Sequence, residues 1–279
     1  MKRYIVDLKQ EYGLQGGFLE CIATEFPWDF KEQDPEWKRP ALIVVPGGGY
    51  AMVSKREGEP IAVEFLARGF QVFILNYSVG GENGIPYPQQ LIELGAAVDY
   101  VKKHASELGV NPEEVFAVGF SAGGHLVANL AVEYASISKK AGMTLDCKPT
   151  AVGLAYPVIS QKYEHKGSHL NLLYGYSDEA KEELLKTLNV NEAVTENTPP
   201  AFIWATAEDE VVPPANALSF AMALDKCGVL YELHIYPQGN HGLSTGSEEI
   251  NPSLPYLKRV NRWMDDCAAF FRLYCQEKY

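Results

Sequence analysis

Residues 115–134 read VFAVGFSAGGHLVANLAVEY. The opening positions form a nearly continuous apolar run, as in a strand buried on both faces. The residues after Ser121 have the character of a helix. Between the two, Gly119-Phe120-Ser121-Ala122-Gly123 fits the pattern G-x-S-x-G. A serine at such a strand-to-helix turn is held in a strained conformation, and larger side chains at 119 and 123 would collide. The turn lifts the hydroxyl at the carboxyl end of a strand, where open α/β sheets place their sites. The start of the helix offers unpaired N–H groups to a developing anion. Ser121 is therefore expected to be a nucleophile, and the competing reading is an N-cap for a glycine-rich helix. His125 lies one turn further along the same helix face. It is expected beneath the serine, as a buried structural histidine.

Outward from this stretch, apolar runs at 41–45, 71–76, 151–156, 201–206 and 231–236 alternate with helical stretches at 58–68, 88–108, 122–137, 213–227 and 254–275. That alternation predicts a doubly wound α/β fold. Two more polar candidates, 4–8 and 18–26, flank Gly13, Gly16 and Gly17 and suggest an antiparallel hairpin at the sheet edge. The whole chain of 279 residues reads as one domain. Residues 161–200 are longer than a crossover needs and read as a lid or binding insertion, with one helix near 178–188.

If Ser121 is the nucleophile, the acid and the base should follow it in chain order. His234 alternates with Glu232 inside a strand, whereas His241 lies in Pro237-Gln238-Gly239-Asn240-His241-Gly242, just beyond that strand. Flanking glycines let the backbone turn the imidazole back over the sheet. His241 is thus the candidate base, against the plainer reading of a solvated loop histidine. The preceding strand is followed by Ala207-Glu208-Asp209-Glu210-Val211-Val212-Pro213. Asp209 is preferred as the acid because it fits D-x-x-V-P, with Glu208 as the fallback. Val45-Pro46-Gly47-Gly48-Gly49-Tyr50 closes an earlier strand. Its glycine N–H groups are unobstructed, so Gly48, Gly49 and Ala122 are the candidate oxyanion-hole donors. The rival, a phosphate loop, lacks the following Lys-Ser/Thr, and no GxGxxG is present.

Composition narrows the partners. Hydrophobic residues make up 47% and charged residues 22% of the chain, an ordinary globular balance. With 24 Lys and Arg against 36 Asp and Glu, the formal charge is -12, which disfavours nucleic acid and anionic lipid. No run of ~18 apolar residues is present to span a bilayer. Five scattered cysteines without a CxxC pair suggest reduced thiols rather than a zinc site. With no signal-peptide pattern in MKRYIVDLKQEYGLQGG, a cytoplasmic location is expected.

The segments PGGGY, EGEPIAVEFLARGF, LNYSVG, GFSAGGHLVANLA, AEDEVVPPANAL and PQGNHG occur in one order. Together they resemble the α/β-hydrolase carbohydrate esterases, a group of acetylesterase and acetyl-xylan-esterase-like proteins. The resemblance implies an eight-stranded, mostly parallel sheet with helices on both faces and a small lid. It implies hydrolysis of short acyl esters, commonly acetyl, on sugars or xylo-oligosaccharides, with no metal or organic cofactor. Ser121, Asp209 and His241 carry over to the triad and the glycine loop to the oxyanion hole. The same likeness marks His165 and Ser168, with Tyr50 beside the glycine loop, as candidate substrate-binding residues. The expected partner is a small acyl ester, with a homo-oligomer left open. An amide-type hydrolase, arylformamidase- or peptidase-like, is the enzymatic alternative. A non-catalytic ligand receptor on the same fold is the alternative from another class.

Overall fold

The computed structural model describes residues 2–25, 38–163 and 165–276. Strand β1 (Lys2–Asp7) leads through a short helix α1 (Leu8–Tyr12) to β2 (Phe18–Ala23). Next come β3 (Arg39–Val45), a 3₁₀ turn (Lys55–Glu57), α2 (Glu59–Ala67), β4 (Gln71–Asn76), α3 (Gln89–Lys103), α4 (Ala105–Leu108) and β5 (Val110–Phe120). Then follow α5 (Ala122–Ala141), β6 (Val152–Ala155), α6 (Gly167–Leu172), α7 (Asp178–Leu188) and a 3₁₀ turn (Val190–Glu192). The chain continues with β7 (Ala201–Thr206), α8 (Ala215–Lys226), β8 (Tyr231–Tyr236), α9 (Leu257–Val260) and α10 (Trp263–Arg272). All eight strands form one sheet, in the order β1-β2-β4-β3-β5-β6-β7-β8. The first two pairings in that order are antiparallel and the rest are parallel. The expected mostly parallel sheet is thus observed, with the hairpin at its edge.

Period-two alternation explains why the central strands are apolar throughout. Ala41, Ile43 and Val45 face one core, shared with Leu91 of α3, Val127 of α5 and Phe220 of α8. Leu42 and Val44 face the other, shared with Phe65 of α2 and with Trp263 and Phe271 of α10. Each fully buried side chain of this size contributes ~1.5–3 kcal/mol of transfer free energy.

Several elements differ from the sequence reading. The edge hairpin is not closed by a simple glycine turn. Asp7 accepts from Lys9 N–H at 2.9 Å and starts α1 before Gly13 ends it in a left-handed conformation. The strand expected to reach residue 26 stops at Ala23, and residue 26 lies outside the described residues. The helix expected over 88–108 breaks at His104, whose Nδ1 meets Tyr100 O at 3.0 Å while the two rings stack with centroids 4.1 Å apart. The helix expected over 254–275 divides into α9 and α10. There the Asn261 Nδ2 and Trp263 Nε1 groups donate to Thr245 O and Ser244 O, at 2.8 and 3.0 Å. Residues 161–200 hold α6 as well as α7.

This inserted segment is fastened to the helix that carries the serine turn. His125, fully buried, has Nε2 2.8 Å from Leu188 O and Nδ1 2.8 Å from the Tyr50 hydroxyl. Its partners fix the neutral tautomer: Nε2–H donates to the carbonyl and Nδ1 accepts from tyrosine. His169 packs edge-on against it with centroids 4.8 Å apart, and its Nδ1 has no partner among the described residues. Burial lowers both pKa values, to about 4 for His125 and about 3 for His169. A free histidine titrates near 6.5, so between there and about pH 4 the unfolded chain binds protons that the folded chain refuses. Stability is full above this window and falls as pH drops through it, by roughly 1 kcal/mol per pH unit for each histidine. His169→Leu, followed by urea midpoints between pH 6.5 and 4, should make that fall shallower. Equal slopes in variant and wild type would contradict the assignment.

Candidate active site

Ser121 stands at the end of β5 with φ 53 and ψ -117, a conformation that L residues rarely hold. Two close approaches enforce it. A Cβ on Gly119 would stand 2.2 Å from Gly123 O, and one on Gly123 would stand 2.2 Å from Val45 O. The Ser121 backbone is held by its N–H to Ala155 O at 3.0 Å and by its carbonyl, which accepts from His125 N and Val158 N.

The acid and base loops follow the next strands of the sheet. Beyond β8, His241 places Nε2 2.8 Å from Ser121 Oγ and Nδ1 2.6 Å from Asp209 Oδ2. Asp209, beyond β7, has a fully buried side chain, and its Oδ1 accepts from Val211 N–H at 3.0 Å and Val212 N–H at 2.9 Å. Three of the four acceptor positions of the carboxylate are thereby filled, two by backbone N–H groups and one by the imidazole, which is fixed as the Nδ1–H tautomer. Glu208 points elsewhere. Its Oε2 accepts from Gly239 N–H at 3.0 Å and holds the start of the histidine loop, which Thr206 Oγ1 grips through Gly239 O at 2.7 Å. His234 lies on β8 and bonds to Glu232 at 2.6 Å, away from this cluster.

The glycine loop after β3 leans on the serine. A Cβ on Gly47 would meet Phe120 O at 2.7 Å and Ser121 Cβ at 3.0 Å. Its carbonyls are tied down one after another. Pro46 O accepts from the Tyr77 hydroxyl at 2.9 Å and Gly47 O from Ser54 N–H at 3.0 Å. Gly48 O accepts from Ala51 N–H at 3.0 Å and Gly49 O from Asn171 Nδ2 at 2.8 Å. A trans peptide points its N–H opposite to its C=O. Fixing the carbonyls of 47 and 48 therefore fixes the N–H groups of Gly48 and Gly49 on the other side of the chain. Among the described residues, none accepts from these two groups or from Ala122 N–H. Together these features can withdraw the hydroxyl proton of Ser121 and offer free donors to an oxygen that gains charge beside it.

The three candidate substrate-binding residues fare differently. The structure turns Tyr50 inward: at φ 59 its side chain is 1% exposed, with the hydroxyl on His125 and the ring edge-on to Tyr77. Its side chain is therefore a buttress beneath the loop and does not face the site. His165 bridges the insertion to the acid loop, with Nδ1 3.0 Å from Val211 O and Nε2 2.9 Å from Ser168 Oγ. Burial lowers the His165 pKa and favours the neutral ring. Ser168 is buried against the glycine loop, where its Oγ would stand 4.0 Å from a Cβ on Gly49. Sequence reading missed Tyr77 and Asn171, whose partners lie 31 and 122 residues away in the chain. Among the described residues, no cluster of three His, Cys, Asp or Glu side chains is placed to hold a metal ion. No helix of the described residues is long and apolar enough to cross a membrane.

A family model described as BD-FAE matches residues 30–224. The chain is 36% identical to the Butyrivibrio fibrisolvens protein endo-1,4-beta-xylanase B over 217 residues, 76% of this chain and 34% of that protein. It is 33% identical to an acetylxylan esterase of Xylanibacter ruminicola over 215 residues, 74% of this chain and 42% of that protein. The chain thus spans well under half the length of either curated relative. A solved structure of an acetyl ester-xyloside bifunctional hydrolase from Caldicellulosiruptor lactoaceticus superposes with a TM-score of 0.81 at 31% identity. That match covers 97% of this chain and 96% of the other.

The division of labour between adjacent carboxylates is open to direct measurement. The labelling rate of Ser121 by a fluorophosphonate probe should fall about 10³-fold or more in Asp209→Asn, which favours the wrong imidazole tautomer. In Glu208→Gln an amide oxygen can still accept from Gly239, so the rate should stay within about threefold of wild type. The reverse order would exchange their roles.

Proposed function

The chain belongs to the BD-FAE family of α/β-hydrolases, and from that membership and the site geometry we propose that it is a serine carboxylic-ester hydrolase removing short acyl groups, acetyl above all, from sugars or xylo-oligosaccharides. The observation that carries this reading is the continuous line of contacts from Asp209 through His241 to Ser121, at 2.6 and 2.8 Å. His241 takes the Ser121 proton as the hydroxyl oxygen attacks the ester carbonyl, and Asp209 stabilises the imidazolium. The N–H groups of Gly48, Gly49 and Ala122 receive the tetrahedral oxyanion, each worth about 3 kcal/mol of the barrier. The imidazolium protonates the leaving alcohol, and water activated by the same histidine then cleaves the acyl-serine.

Acetylated sugar is the preferred substrate class because two similar proteins carry that chemistry in their names, an acetylxylan esterase and an acetyl ester-xyloside hydrolase. His165 and Ser168 are proposed to border the pocket. We treat the described chain as a single domain, with residues 161–200 as its binding insertion. A reducing compartment, the cytoplasm, is proposed from five cysteines that are all unpaired.

A panel of acetylated, butyrylated and feruloylated sugars together with formyl-anilides tests the assignment through kcat/KM. Acetyl sugars should be turned over best, and Ser121→Ala should abolish turnover of every member without changing the melting temperature by more than a few degrees. A hundredfold preference for the formyl-anilide would make the protein an amide-type hydrolase. Unchanged turnover in Ser121→Ala would remove the serine mechanism.

A further inference from the structure

Behind the glycine loop, one buried carboxylate touches two of the segments that converge on Ser121. Glu57 ends the 3₁₀ turn Lys55–Glu57 and is 5% exposed. Its Oε2 accepts from Gly47 N–H at 2.8 Å. Its Oε1 accepts from the Tyr156 hydroxyl, also at 2.8 Å. The Tyr156 oxygen in turn accepts from Ser244 N–H at 3.0 Å, three residues beyond His241. The Tyr156 ring meets the His241 imidazole edge-on, with centroids 5.0 Å apart. The neighbouring Ser244 hydroxyl donates to Arg56 O, which closes the connection back to the 3₁₀ turn.

The Gly47 N–H, the Tyr156 hydroxyl and, through it, the Ser244 N–H all donate toward the carboxylate. Among the described residues, no Lys or Arg side chain lies within ion-pair distance of it. A buried carboxylate without a cation is a costly way to fill space. What it supplies is two acceptors at opposite ends of one rigid group. A glutamine in its place keeps one carbonyl oxygen, so at most one of Gly47 N–H and the Tyr156 hydroxyl retains its acceptor, and an N–H₂ turned to Gly47 N–H would set donor against donor.

We propose that Glu57 is a positioning residue for the hydrolytic reaction, its carboxylate tying the glycine loop to the histidine loop so that backbone donors and imidazole stay in register about Ser121. This rests on the hydrolase reading above. The role concerns alignment in the transition state, so its loss lowers kcat and leaves KM nearly unchanged. A small misplacement of aligned groups costs up to about 10²-fold in rate.

The test compares Glu57→Gln, Glu57→Ala and Tyr156→Phe with wild type in two measurements, after thermal melting has established folding. The first is steady-state hydrolysis of p-nitrophenyl acetate. Glu57→Ala should lower kcat about 10- to 100-fold with KM within about threefold, and Glu57→Gln and Tyr156→Phe, which each keep an arm, should lower it less. The second is amide hydrogen exchange in peptides covering 46–54 and 239–247. Glu57→Ala should accelerate exchange in both, Glu57→Gln in at least one, Tyr156→Phe in the second alone, and Ser121→Ala in neither. A wild type inert toward esters would defeat the hydrolase reading, and the exchange pattern would still decide whether Glu57 couples the loops. Should Glu57→Ala fail to fold, Glu57→Gln carries both measurements. Unchanged exchange in both loops of folded Glu57→Gln, or a rise in KM with kcat intact, overturns the proposal.

Discussion

Two backbone segments meet beneath Ser121 with no space between them for a side chain. The carbonyl of Val45, at the end of β3, sits where a Cβ on residue 123 would have to go, and the carbonyl of Gly123 excludes one at 119. The serine between them takes a positive φ, at a cost of order 1–3 kcal/mol held by the surrounding sheet. That contact joins the nucleophile turn to the glycine loop, since β3 and β5 are neighbours in the sheet. The acid and histidine loops leave β7 and β8, which are also paired. The carboxyl ends of β3, β5, β7 and β8 therefore supply every group, and parallel pairing puts those ends on one side of the sheet.

The same steric demand made the centre of the fold legible. G-x-S-x-G could be read because no other residue fits at 119 and 123. Strands 71–76, 201–206 and 231–236 match the apolar runs to the residue. For β4 and β7 the reason is burial on both faces, so that composition marks both ends; β8 lies at the edge and is partly exposed. Three adjacent carboxylates after β7 gave no such steric signal. Which of Glu208 and Asp209 touches His241 depends on how the loop turns in space, and it turns Asp209 toward the imidazole.

The parts that escaped sequence reading are those joined across long stretches of chain. Tyr156 and Glu57 lie 99 residues apart, and Asn171 reaches back 122 residues to Gly49. No periodicity encodes such pairs. The breaks at His104 and Asn261 likewise arise from contacts that helical patterning ignores. Tyr50 followed three glycines and looked available to substrate, yet its positive φ carries it into the core. There it joins His125 and, through it, Leu188, so the segment 161–200 is bonded to the loop beneath the site.

These connections describe a site assembled before substrate arrives, with Ser121 held against the His241 imidazole and backbone donors already oriented. The most direct test is to trap the covalent intermediate. The protein is mixed rapidly with p-nitrophenyl acetate, quenched in acid, and mapped by peptide mass spectrometry. The account expects one acetyl group, on Ser121, forming in wild type and absent in His241→Ala. Acetylation confined to another residue, or turnover with no acyl-serine in wild type under conditions that stabilise it, would contradict it.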